Sequence, residues 1–271
     1  MKFWKYQGAG NDFVLIDQRA KQWLTREDTE QIGRLCDRRF GIGADGLILL
    51  QNHPDFDFEM IYFNADGRES SMCGNGGRCI AAFSKHLGII GQNSRFLAID
   101  GPHEALITHT FATGGEWVEL KMADVQQVEI HDNTFVLNTG SPHYVRFEND
   151  IVGLDMVQEG RVVRYSDRYR TEGINVNLVK EEADHLDIRT YERGVEDETL
   201  ACGTGVTAAA IAHFLHRGGL PGRAEIKVHA RGGQLSVRFR RDENGAFSDI
   251  WLCGPAQKVF EGVIDHDFIN L

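Results

Sequence analysis

Two cysteines stand where a thiol can do chemistry. Cys73 lies in "MCGNGGRCIAAF" (residues 72–83) and Cys202 in "ACGTGVTAAAIA" (residues 201–212). Each is followed directly by Gly-x-Gly and then by a helix-like stretch. Glycines permit tight backbone geometry there. A helix beginning at such a loop offers N–H groups outside its own ladder and the positive end of its dipole. Anions, carboxylates included, bind at such places. A cysteine at the lip is stabilised as thiolate, below the ordinary value of about 8.5. For either cysteine alone, packing as a small hydrophobe would be an equal reading. Packing is the reading for Cys36, Cys79 and Cys253, which lie in apolar surroundings.

The two loops belong to a longer repeat. Cys202 follows Cys73 by 129 positions (202 − 73), and at that offset Tyr62 meets Tyr191, Glu69 meets Glu198, Gly74 meets Gly203, Gly76 meets Gly205 and Ala81 meets Ala210. With one or two residues of slack, "AGNDFVLID" meets "TGSPHYVRF" and "AIDGPHEALI" meets "VHARGGQLSV". Three matches in one order at nearly one offset exceed chance similarity between Gly-rich turns. They imply two homologous halves with a boundary near 124–133, each carrying one Cys-Gly-x-Gly loop.

A thiol on either side of one bound molecule suits inversion of a stereocentre beside a carboxylate. One group must remove a proton from one face and another must supply a proton to the opposite face. Helix N-termini would stabilise the charge that moves onto the carboxylate. No pyridoxal phosphate motif is evident, so no cofactor is expected. Zinc would prefer CxxC or Cys/His spacings, which Cys73 and Cys79 do not have, so no metal is expected. "CGNGG" is not a Walker motif, and GxGxxG is absent. A Cys-His hydrolase would leave the second loop without a purpose. A disulfide between Cys73 and Cys202 would inactivate such a site.

Strands and three helices must position these loops. β-Branched and aromatic runs bounded by Gly, Asp, Asn or Pro read as strands. They are "FVLID", "GLILLQ", "FEMIYF", "FLAID" and "EALITHT" in the first half, then "WVELKM", "HYVRF", "INVNLV", "LDIRTYE", "EIKVHA", "QLSVRF" and "IWLCG". One helix is expected after Thr25, with Thr25-Arg26-Glu27-Asp28 as a capping box, ending near Gly41. The other two begin after Cys73 and Cys202, the last ending at Gly218-Gly219.

Bulk properties set outer bounds. The chain has 271 residues, 42% of them hydrophobic, enough for a core without disulfide staples. Five scattered cysteines do not form a secreted framework, so a reducing, cytoplasmic setting is expected. "MKFWKYQGAGNDF" lacks an apolar signal-peptide segment, and no stretch approaches a membrane helix. A net charge of −11 argues against a nucleic-acid partner.

The motifs together resemble one family. "GAGNDFVLID", "GIGADGLILL", "YFNADGRESSMCGNGGRC", "GSPHYV", "GINVNLV", "YERGVEDETLACGTG" and the late "CGPA" resemble the diaminopimelate epimerases along nearly the whole chain. The resemblance implies an α+β fold of two pseudo-symmetric halves, residues 1–125 and 126–271. Each would be a curled, mostly antiparallel sheet around a central helix, with the segment from about 260 packing back on the first half. It implies cofactor-independent interconversion of LL- and meso-diaminopimelate, in lysine and peptidoglycan-precursor synthesis. A small-molecule substrate follows, and a homodimer is compatible with the resemblance.

The resemblance also assigns residues. Cys73 and Cys202 become the acid/base thiols. Asn11, Asn64, Gly74, Asn75, Asn175, Glu192, Arg193, Gly203 and Thr204 become substrate contacts. His143 and Glu192 become the groups that hold the thiols in opposite protonation states. Arg193 suits bidentate grip of the far carboxylate. Apart from the resemblance, Asn64 before Ala65-Asp66-Gly67 reads as a turn former, Asn175 and Arg193 as solvated, and His143 as structural. Two positions depart from the family pattern. Ser141 stands where Asn is common before Pro-His, and Gly46 stands where Gln is common. Both bear on the distal end of a substrate. Proline racemases and hydroxyproline epimerases are the nearest rival, but their first loop reads Cys-Gly-His where this chain has Asn75. Phenazine-synthesis isomerases lack the thiol pair. A non-catalytic binding protein is the rival of another class, and both thiols argue against it.

Overall fold

The structure, a computed structural model, describes residues 1–112 and 114–265. The chain divides into two compact units. One is Met1–Leu120 together with the chain from Gly254, and the other is Lys121–Cys253. The expectation for the C-terminal segment extends to residues 266–271, which lie outside the described residues.

The first unit runs β1 (Lys2–Gly8), β2 (Asn11–Asp17), α1 (Thr29–Cys36), β3 (Gly46–Gln51), β4 (Phe58–Asn64), α2 (Gly74–His86), β5 (Asn93–Ala98), β6 (Gly101–Thr110) and β7 (Glu116–Lys121). The second runs β8 (Val128–His131), β9 (Thr134–Asn138), β10 (Pro142–Phe147), α3 (Met156–Arg164), β11 (Asn175–Glu181), β12 (Leu186–Glu192), β13 (Asp197–Thr199), α4 (Gly203–His216), β14 (Gly222–Ala230), β15 (Gly233–Arg241) and β16 (Phe247–Val263). β16 begins in the second unit and ends in the first. Its last residues pair with β1, from Gln7↔Gln257 to Lys2↔Val263, so the strands of the first unit close into a barrel.

The units repeat one pairing scheme. In the first, β1–β2 is antiparallel, β2–β3 parallel, β3–β4 antiparallel, β4–β5 parallel and β5–β6 antiparallel. In the second, β9–β10, β10–β11, β11–β12, β12–β14 and β14–β15 follow the same alternation. The fold is therefore α+β with two halves of like topology.

Each unit has one helix on either side of its sheet. α2 packs on β1, β2, β3 and β6, and α4 on β9 to β12, β14 and β15. α1 and α3 cover the other faces. Val14, Ile16, Leu47, Leu49 and Phe63 pack with Ile32 and Leu35 of α1. With period 2 along a strand, the remaining residues of β2 and β3 face α2. Burial on both faces explains why "FVLI" and "LILL" are continuous apolar runs rather than alternating ones.

Two helix expectations need correction. The first helix does not run from Thr25 to Gly41; it spans Thr29–Cys36. The Thr25 N–H and Oγ1 both donate to Asp28 Oδ2, at 2.7 and 2.9 Å, closing a turn ahead of the helix. Asp37 is extended and accepts from the N–H groups of Arg39 and Phe40, which starts a new turn. α3 was not expected. Its cap is Asp155, whose Oδ1 accepts from Val157 and Gln158 N–H at 3.1 Å each. Gly160, a poor helix former, obscures it in sequence. A Cβ there would come 2.3 Å from Tyr191 Cγ, so the close contact of α3 with β12 demands glycine.

Candidate active-site residues

Cys73 and Cys202 occupy the same structural position. Each is the N-cap of the buried helix of its unit, in extended conformation: φ −86°, ψ 132° for Cys73 and φ −112°, ψ 111° for Cys202. The first intrahelical bonds are Gly77 N–H to Cys73 O (2.8 Å) and Val206 N–H to Cys202 O (2.9 Å). The amides of residues 74–76 and 203–205 thus lie in the turn that precedes the ladder, where an anion is favoured. None of the five cysteines is in a disulfide. Cys36, Cys79 and Cys253 are buried, and burial pushes the Cys36 and Cys79 thiols up to about 12.

Around the first loop, four polar side chains form a directed chain. The Arg78 Nη2 donates to Asn75 Oδ1 (2.7 Å), Asn75 Nδ2 donates to Asn11 Oδ1, and Asn11 Nδ2 donates to Asp45 Oδ2 (3.0 Å). A guanidinium only donates and a carboxylate only accepts, so both amide orientations are fixed. Asn75 and Arg78 are fully buried. Asn64 is exposed at the end of β4, where its backbone closes a turn with Gly67 and Arg68. Asn64 pairs with Gly46 across β3–β4. A Cβ at Gly46 would come 2.5 Å from Phe63 O, so no side chain fits at this position.

Around the second loop, the sequence-assigned residues fall into two groups. In one, the Arg193 N–H donates to Asn175 Oδ1 (2.9 Å), Asn175 Nδ2 donates to Ser141 Oγ (2.9 Å), and Arg193 Nη2 lies 3.4 Å from the same hydroxyl. Ser141 thus ties Asn175 to Arg193. Arg193 Nη1 donates to Glu172 O (3.0 Å), and Arg193 pairs with no carboxylate among the described residues. Glu192 ends β12, and burial pushes its carboxyl up.

The other group lies beneath Cys202. Thr190 Oγ1 donates to Asn177 Oδ1 (2.9 Å), and Asn177 Nδ2 donates to Tyr144 O (3.0 Å) and to His143 Nδ1 (3.1 Å). The Tyr144 carbonyl can only accept, so the amide orientation is set and His143 Nδ1 is the acceptor. The ring proton therefore sits on Nε2, 2.8 Å from Thr204 Oγ1. Thr204 accepts from it, which leaves the threonine proton for Cys202 Sγ at 3.4 Å. Burial, and second the charge of Arg193, push His143 down to about 3, so it is neutral. His143 thus reaches Cys202 through Thr204. Thr139 Oγ1 holds the Thr204 carbonyl at 2.8 Å.

The equivalent place in the first unit is apolar. Phe13 is paired with Gly46 as His143 is with Asn175, and Ile48 with Leu15 as Asn177 is with Val145. A Cβ at Gly76 would meet Ile48 and Phe13, at 3.3 and 3.7 Å. A Cβ at Gly205 would meet Asn177 Oδ1 and His143, at 2.5 and 3.4 Å. The duplicated loops rest on a hydrocarbon pair in one unit and a hydrogen-bonded pair in the other.

Known proteins give these loops a context. The sequence model described as diaminopimelate epimerase matches the chain twice, at residues 3–127 and 135–259. A diaminopimelate epimerase of Flavobacterium psychrophilum is 50% identical over 265 residues, 97% of this chain and all of that protein. The Chlorobaculum tepidum enzyme of that name is 42% identical, over 95% of this chain and 98% of that protein. The chain belongs to the diaminopimelate epimerase family. Solved structures widen the fold group. A Bacillus anthracis phenazine biosynthesis protein of the PhzF family superposes with a TM-score of 0.77 at 14% identity, covering 98% of this chain and 99% of that one. A probable proline racemase of Agrobacterium radiobacter gives 0.69 at 16%, covering 98% and 93%. These show a shared fold alone.

For a diaminopimelate epimerase-family chain, sequence reasoning missed Asn177, Thr190, Thr139, Arg78 and Asp45. A signal for Asn177 was present. In "INVNLV" the two asparagines recur at period 2 in a strand whose other residues are apolar, which marks buried polar groups on one face.

Proposed function

We propose that this protein interconverts LL- and meso-diaminopimelate without a cofactor, by proton transfer between two thiols, in lysine and peptidoglycan-precursor synthesis in the cytoplasm. Family membership supports the substrate. The observation that carries the mechanism is the unlike surroundings of two otherwise equivalent N-cap cysteines. A two-base enzyme at rest needs one thiolate and one thiol. The Thr204 hydroxyl, oriented by His143 and Asn177, donates towards Cys202 and favours the anion there. The corresponding position under the Cys73 helix start is filled by the hydrocarbon of Phe13 and Ile48. Cys202 is therefore the resting base for one direction and Cys73 the resting acid.

In that direction, the Cys202 sulfur takes the α-proton and the C–H electron pair moves into the carboxylate. The Cys73 S–H then gives its proton to the opposite face of the carbon. Cys202 ends as thiol and Cys73 as thiolate, ready for the reverse reaction. The helix-start amides of Gly74, Asn75, Gly203 and Thr204 carry the developing charge. Arg193, with no carboxylate partner among the described residues, takes the distal carboxylate, with Asn175, Asn64 and Asn11 around the distal amino-acid group. Glu192, with its carboxyl raised by burial, and His143 set the protonation of the thiols.

Reduced, purified protein given LL-diaminopimelate and no added cofactor should produce the meso isomer. Failure with that substrate, together with turnover of proline or 4-hydroxyproline, would overturn the proposal.

A further inference from the structure

Away from the cysteine loops, three metal-ligating side chains of the second unit converge. Asp187 is the second residue of β12, and His185 immediately precedes the strand in the turn that His185 O closes with Glu182 N–H. β14 runs parallel to β12 with Asp187 opposite His229, which brings that ring to the same face as Asp187. The ligand atoms of His185, Asp187 and His229 all lie within 4.8 Å of one another, and all three side chains are half-buried. His185 Nε2 is 3.4 Å from Asp187 Oδ1. Two ligands about 2.0–2.1 Å from one tetrahedral metal ion sit roughly 3.4 Å apart.

The surroundings are those of a metal-binding histidine. Asp184 Oδ1 lies 2.9 Å from His185 Nδ1 and accepts its proton, which leaves Nε2 as the ligand atom. The two imidazole rings are stacked at 3.7 Å between centroids, so neither serves the other as a hydrogen-bond partner. Lys227 Nζ lies 3.7 Å from the far oxygen of Asp184 and balances that carboxylate without occupying the ligand atoms. Two imidazoles and one carboxylate suit a divalent first-row transition ion, with water completing the coordination.

We propose that His185, Asp187 and His229 bind one such ion, with Asp184 as the outer carboxylate that orients His185. The ion clamps β12 to β14. The ladder between these strands is short, with only Leu186↔Val228, Asp187↔His229 and Ile188↔Ala230 in register. Binding to the folded state alone raises the unfolding temperature.

The test is calorimetric titration of the full chain with zinc chloride in chelator-free buffer, with thermal unfolding alongside. Wild type should bind one more zinc ion than His229→Gln or Asp187→Asn, and the zinc-induced rise in unfolding temperature should be lost in both. Asp184→Asn should retain the ion with affinity about 10–100-fold weaker. Zinc bound by thiols contributes equally to every variant. Equal stoichiometry and equal thermal shift in wild type, His229→Gln and Asp187→Asn would overturn the proposal. If one variant fails to fold, the other decides, and epimerase activity plays no part in the readout.

Discussion

Replacing Thr204 by valine removes one hydroxyl and little volume, and it keeps the backbone amide at the helix start. His143 Nε2–H loses its acceptor at 2.8 Å, and Cys202 loses the donor at 3.4 Å. A hydrogen bond to a charged group contributes about 1.5–3 kcal/mol. If the Cys202 anion depends on that bond, kcat/KM for epimerisation should fall roughly 10- to 150-fold. The acid-side limb of the pH profile should move to higher pH, because an anion that has lost a donor is harder to form. Thr204→Ser, which restores the hydroxyl, should recover both rate and profile. The assay is the initial rate of meso product formation between pH 6 and 10 in reductant. A valine variant with wild-type rate and an unmoved limb would refute the relay. So would a serine variant as impaired as the valine one, since the loss would then be steric.

Other consequences are more local. Burial and Arg193 hold folded His143 at about 3 against an ordinary 6.5, so below 6.5 the unfolded chain takes up a proton that the folded chain refuses. Stability should therefore fall as pH drops from 6.5 towards 3, by up to about 1.4 kcal/mol per pH unit, and His143→Gln should flatten that slope in urea unfolding. At lower pH, Asp12 adds to the loss. Burial opposes its charge, but bonds from Arg38 and Lys5 outweigh burial and hold it at about 2, so its contribution is complete above 3.8 and vanishes as pH falls towards 2. Gly160→Ala should destabilise by about 1–2 kcal/mol despite alanine's helix propensity, because the new methyl meets Tyr191; a raised unfolding temperature would contradict this. Arg193→Lys should raise KM for diaminopimelate more than it lowers kcat, since an ammonium cannot form the two-point contact; an unchanged KM would remove Arg193 from recognition.

Much of the fold was legible because its signals are local. The runs "FVLID", "GLILLQ" and "INVNLV" are strands in the structure, and both Cys-Gly loops open helices. β1 escaped notice because Lys2, Lys5 and Gln7 interrupt its apolar pattern, although Lys5 is buried against Asp12. α3 escaped because Gly160 answers to a tertiary contact rather than to helix propensity. The same division holds at the site. Cysteine, glycine and helix start are neighbours in sequence and could be read together. The partners of Thr204 come from β10 and β11, brought beneath α4 by strand register, and nothing local links His143 or Asn177 to residue 204. The difference between Phe13-Ile48 and His143-Asn177 becomes visible only once the two registers are compared.

Whether two separate groups handle the two protons can be read by isotope tracing. LL-diaminopimelate would be turned over in D₂O to a few per cent conversion, then substrate and product separated and the α-positions measured. With one thiol on each face, solvent deuterium should appear at the inverted carbon of nearly every meso molecule, with the recovered LL isomer still carrying its original hydrogen. Product that keeps the substrate's own α-hydrogen would mean that a single group removed and returned it, and the two-thiol account would be wrong.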